Sequence, residues 1–90
     1  MHVYRVVWED IEKNRDVEIQ IDYRLHAGEV QIDKITPTKV TVYDADRDSV
    51  AQVLPVTRPT GQRLLTEAFC SSRDGQPTIE QEILENHLAV

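Results

Sequence analysis

The chain has one cysteine, Cys70, so no internal disulfide can form and a secreted disulfide scaffold is excluded. Glycine is almost as scarce, with 3 in the chain. There is no Gly-x-x-x-x-Gly-Lys loop and no Gly-x-Ser-x-Gly elbow, and so few glycines make a backbone phosphate cradle hard to build. Long apolar runs are missing too. The longest near the N-terminus is Val6-Val7-Trp8, against the roughly 20 residues a membrane helix needs. Met1-His2-Val3-Tyr4-Arg5 lacks the charged start and apolar stretch of a signal peptide. These absences predict a cytoplasmic protein without membrane attachment.

Positive charge is also in short supply. The 10 basic residues are outnumbered by 16 acidic ones, for a net charge of -6. The basic residues are scattered, and only Lys13 and Arg15 lie close together, followed at once by Asp16. Phosphate backbones attract positive surfaces, so direct binding of nucleic acid or anionic membrane is disfavoured. A protein partner, basic if charge matters at all, is the expectation.

What remains is ordinary globular material: 40% apolar and 29% charged over 90 residues. That length makes one domain, 1–90, with room for one thin core. Its first half reads as strand. Val3 to Trp8 is rich in β-branched and aromatic residues, and Asp10 to Asp16 reads as a polar turn. Val17, Ile19, Ile21, Tyr23 and Leu25 then alternate with Glu18, Gln20, Asp22 and Arg24. Period two buries one face and wets the other. His26-Ala27-Gly28-Glu29 reads as a tight connection, with Gly28 free to take positive φ. Val30 and Ile32 resume the alternation, but Ile35 falls out of step and Pro37 follows, which predicts a bulge, a bend or an edge. Glu29 to Tyr43 is one long bent strand or two short ones. Asp44 to Asp48 is a polar turn. Ser49 to Val56 fits neither period and reads equally as a short strand or an irregular packed loop.

The second half reads as two helices. Thr60 is placed to cap the first, with Leu64, Leu65, Ala68 and Phe69 as its apolar stripe and Asp74-Gly75 as its stop. Thr78-Ile79-Glu80-Gln81 matches a capping box, and Ile79, Ile83, Leu84, His87 and Leu88 follow at helical spacing. Glu80 and Glu82 suit the positive end of that helix. The expected fold class is α+β: an antiparallel meander of three to four strands followed by two C-terminal helices on one face.

No catalytic, cofactor-binding or metal-binding set emerges from these residues. Asp44-x-Asp46-x-Asp48 opens like a calcium loop, but Ser49 and Pro55 stand where glycine and the closing glutamate belong. His2, His26, His87 and Cys70 lack zinc-ligand spacing, and His87 reads as a half-buried packing residue. Cys70, late in a helix whose dipole disfavours a thiolate, reads as a buried or half-exposed structural residue. Glu9, Asp10 and Glu12 beside Trp8 read as an exposed turn, without the dry cleft that acid–base chemistry needs. The wet sheet face remains: Glu18, Gln20, Asp22 and Arg24, joined by Gln31 and Asp33 across the hairpin. It reads as a solubilising surface or as a mainly acidic docking face.

Two stretches, Ala27-Gly28-Glu29-Val30-Gln31-Ile32-Asp33 and Val40-Thr41-Val42-Tyr43-Asp44-Ala45-Asp46, together with the acidic helix from Ile79 to Leu88, resemble small acidic proteins encoded by phages and prophages. The likeness covers about half the chain, is a pattern and not a motif, and departs from that group in lacking a long proline-rich loop. It implies a bacterial or phage cytoplasmic origin and no activity. The expected role is a non-catalytic interaction module, such as an accessory factor. The alternative is an acidic inhibitor that mimics nucleic acid, and a small enzyme subunit ranks last. A thin core and a free edge at Val3 to Trp8 further predict a homodimer, by strand pairing or helix packing.

Overall fold

A computed structural model describes residues 1–73 and 78–88. It contains strand β1 (His2–Asp10), a 3-10 turn at Ile11–Lys13, strands β2 (Arg15–His26), β3 (Glu29–Tyr43) and β4 (Val50–Pro55), and helices α1 (Pro59–Ser72) and α2 (Ile79–Leu88). The strands form one antiparallel sheet in the order β1-β2-β3-β4. The α+β class holds. Glu29 to Tyr43 is one strand, and Ser49 to Val56 supplies a fourth.

The alternation in β2 sets the architecture. Val17, Ile19, Ile21 and Tyr23 are buried. The β1 register adds Tyr4, Val6 and Trp8 to the same face. In β3 that face is lined by Val30, Ile32, Ile35, Pro37, Val40 and Val42, an alternation that twice gains an extra residue. The ladder shows why: it slips between Asp22 and Tyr23, and again between Glu18 and Ile19. Asp33 and Thr38 are the extra residues. Each bulge restores the phase that strict alternation would lose, so every aliphatic side chain returns to the core side.

The β2–β3 hairpin turns through Ala27 (φ 53) and Gly28 (φ 79). Positive φ at both central positions is the type I′ arrangement that suits the twist of a hairpin. Alanine is a poor choice there because its Cβ disfavours the left-handed region by about 1–2 kcal/mol. Ala27→Asn is expected to stabilise the domain by about 1 kcal/mol, measured as a raised urea midpoint with unchanged slope.

Both helices close the apolar face. Phe69 of α1 and Ile83 of α2 are buried with the sheet residues. Phe69 meets the Trp8 ring at 6.0 Å between centroids. Arg73 lies 5.5 Å over the Phe69 ring and pairs with Glu82 at 3.0 Å, which ties the end of α1 to α2. The capping box forms: the Thr78 N–H donates to Gln81 Oε1 and the Gln81 N–H to Thr78 Oγ1, both at 3.2 Å.

Several expectations are corrected. Thr60 lies within α1 and does not cap it; the helix begins at Pro59 behind an extended Arg58. Proline is suited to that first position because its missing N–H has no partner there. Leu64 is 56% exposed, so the inward stripe narrows to buried Phe69 with Leu65 and Ala68 half-buried beside it. His87 is exposed, although its Nδ1 lies 3.4 Å from Tyr23 Oη. Cys70 is exposed as well. The stop signal at Asp74-Gly75 lies outside the described residues.

Candidate functional site

The sheet face turned away from the helices gathers the residues singled out by the alternation. Glu18, Gln20 and Asp22 line up along β2, with Arg24 beyond them opposite Gln31. Asp33 reaches the same group from the first bulge: Arg24 Nη2 donates to Asp33 Oδ1 at 2.8 Å and Arg24 Nε to Oδ2 at 2.9 Å. All six residues therefore share one surface.

Its charge is not mainly acidic. β3 brings Lys39 opposite Glu18 and Lys34 opposite Asp22, and β1 adds Arg5 opposite Gln20. Lys39 Nζ lies 2.8 Å from Glu18 Oε2. Of these facing pairs Glu18–Lys39 closes as an ion pair, and Arg24–Asp33 runs the other way between the same strands, each of modest stabilising value. The flanking strand is apolar at intervals: Val3, opposite Asp22, and Val7, opposite Glu18, are 47% and 55% exposed. These valines are the part of the surface that sequence reasoning missed. The pairing of β1 with β2 is what places them beside the charged row, and a short strand with apolar residues on both faces does not announce which face is wet.

At one end of this face the chain ties itself together around Asn14, which adopts φ 53. Its Nδ2 donates to the carbonyls of Tyr43, at 3.2 Å, and of Asp44. Tyr43 Oη donates to Asp16 Oδ2 at 2.7 Å, and Arg47 Nη2 donates to Asp16 Oδ1 at 3.0 Å. The Arg47 guanidinium stacks 4.6 Å over the Tyr43 ring. The hydrogen bond to the Asp16 carboxylate raises the Tyr43 phenol above its ordinary 10.0, with burial adding to the effect.

The Asp44-Asp46-Asp48 loop is organised from within. Asp44 accepts hydrogen bonds from the Ser49 hydroxyl and, at 3.2 Å, from the Asp46 N–H. The Ser49 bond is the main reason its carboxyl is held below the ordinary 3.8. Among the described residues, no three His, Cys, Asp or Glu side chains converge as a metal site requires. Nor do the four candidate ligands gather. Only His2 and His87 meet, edge to face at 5.4 Å, with His2 stacked on Tyr23 at 5.2 Å.

The acidic cluster beside Trp8 is the other correction. Asp10 is buried, at 9% exposure, and pairs with Arg15 at 2.9 Å. Its place at the end of β1, on the apolar face, explains this, since a buried carboxylate needs a cation beside it. Glu9, Asp10 and Glu12 border an open cleft of about 640 Å³ between the 3-10 turn and the end of α1, with Trp8, Ser72 and Arg73 on its other walls.

No helix among the described residues is long and apolar enough to cross a membrane. The chain matches no protein family, no curated protein and no solved structure.

Proposed function

We propose that this protein is a small non-catalytic interaction module that presents the outer face of β1 and β2 to a protein partner with a net positive surface. The observation that carries this reading is the exposure of Val3 and Val7 on the same face as the Glu18–Lys39 and Arg24–Asp33 ion pairs. Interfaces combine apolar contact with polar groups that already have partners, and the pairs are held in place before a partner arrives. The valines supply burial. The net charge of -6 supplies steering toward a basic surface. Asp16, Glu18 and Asp33 are each matched to a cation, which leaves few carboxylates on this face to stand in for phosphates. The interaction reading is therefore preferred to nucleic-acid mimicry.

The test is capture of the partner from the source cell, followed by titration of the two purified proteins. Val7→Asp is expected to weaken binding by about tenfold or more, since it puts an unpaired charge at the centre of the contact. A control substitution on α1, Glu67→Lys, is expected to leave affinity within about twofold, as a rim charge far from the contact does. A partner that binds Val7→Asp as tightly as the native chain rules the face out.

A further inference from the structure

Strand β4 is an edge of the sheet, and all six of its residues are exposed. From Ser49 to Thr57 the chain carries no charge, in a protein where 29% of residues are charged. Val50, Val53 and Leu54 are 54%, 50% and 41% exposed. Natural edges are blunted by charge, by proline or by a covering element. The opposite edge, β1, carries Arg5 and Glu9, and Asn86 of α2 donates to its Tyr4 hydroxyl at 3.3 Å. Among the described residues the β4 edge has proline alone.

The position of that proline is informative. The Val56 N–H donates to the Thr38 carbonyl at 3.0 Å, toward β3. By the alternation of an antiparallel ladder, Leu54 also points its backbone groups at β3, whereas Val53 and Pro55 turn theirs outward. Pro55 lacks an N–H on the open side, where it breaks no internal bond. The Val53 N–H and carbonyl are left facing away from the sheet.

We propose that this edge pairs with β4 of a second copy of the chain, antiparallel, about a two-fold axis at Val53. The charge pattern favours a copy over an unrelated strand. A two-fold at Val53 brings Asp48 of one chain alongside Arg58 of the other, one residue out of step because β4 carries an extra residue at Ala51, and does so at both ends of the uncharged stretch, so the edge is complementary to itself. Along β4 itself two chains of charge -6 set no like charges face to face. The two Val53 residues exchange N–H···O bonds, and the Pro55 carbonyl on either side remains an acceptor for the bulged segment at Ala51 of the other copy. Side-chain phase is kept: Leu54 lies beside Gln52 of the other copy, both on the helix side. The product is a continuous sheet of twice four strands with every helix on one face. Six residues form a short seam, small beside standard interfaces, so dimerisation is expected at micromolar and not nanomolar concentration.

Sedimentation equilibrium tests this on the full chain. The native protein is expected to pass from 10.4 kDa toward twice that mass as concentration rises through the micromolar range. Val53→Pro, which removes the exchanged pair without touching a bond to β3, is expected to raise the dissociation constant about thirtyfold, the equivalent of two hydrogen bonds. Asp48→Arg is expected to weaken the dimer, and its combination with Arg58→Asp to restore it, which separates pairing from any loss of fold. A chain that stays monomeric at high micromolar concentration, or a dimer indifferent to both Val53→Pro and the charge reversal, overturns the proposal. Neither result bears on Val7→Asp, which acts on β1.

Discussion

Phe69→Ala is expected to destabilise the domain by about 3–5 kcal/mol, the range for deleting a buried aromatic ring. Phe69 is 2% exposed, and it is the residue through which α1 enters the core. Two further contacts depend on its ring: the tilted Trp8 ring and the Arg73 guanidinium. The space left behind is bounded by β-sheet on one side, which collapses poorly, so the cavity term adds to the transfer term. A domain of this size has about 5–15 kcal/mol in total, so the variant sits close to its unfolding threshold. Urea denaturation followed by Trp8 fluorescence checks this, because the single tryptophan packs directly on the altered site. A loss below about 1 kcal/mol would mean that α1 is not anchored by this ring.

Asn14→Ala is the second large effect, expected at about 2 kcal/mol from two sources of similar size. Asparagine tolerates φ 53, and alanine there carries left-handed strain. The side chain also holds the carbonyls of Tyr43 and Asp44, at the far end of β3. Those acceptors are partly exposed and can turn to water, so each bond counts for about 1 kcal/mol or less. Asn14→Gly separates the two sources. It relieves the backbone strain and still lacks the amide, so it is expected to fall between the native chain and Asn14→Ala. Thermal unfolding of the three proteins gives the order.

How much of this was legible in the sequence depends on whether local pattern or long-range register decided the outcome. The alternation through β2 was sufficient to bury Val17, Ile19, Ile21 and Tyr23, because period two leaves one solution once a face is wet, but it carried one residue too far: Leu25, by the hairpin turn, is 36% exposed. Ile35 out of step with Ile32 signalled a bulge, and the capping box at Thr78 was legible because its partners lie three residues apart. The charge of the outer face was not. Glu18 and Asp22 read as acidic until β3 was laid alongside, and two bulges decide that Lys34 and Lys39 stand opposite them. A one-residue error in either bulge would have turned the lysines elsewhere. The buried state of Asp10 was hidden for a related reason: its salt bridge with Arg15 spans a turn whose shape no short-range rule specified. At Leu64 the periodic pattern overreached, since a helix resting on one sheet covers only a narrow stripe.

The strand order also bears on how the chain finds its fold. Each strand pairs only with its neighbours in sequence, so contact order is low for a protein this rich in sheet. Pairing can propagate outward from the Ala27-Gly28 turn, one rung at a time, and no long loop must close before a contact rewards it. The helices come last in the chain and have no apolar partner until a sheet exists. Their docking is therefore the step that turns a set of hairpins into a cooperative unit.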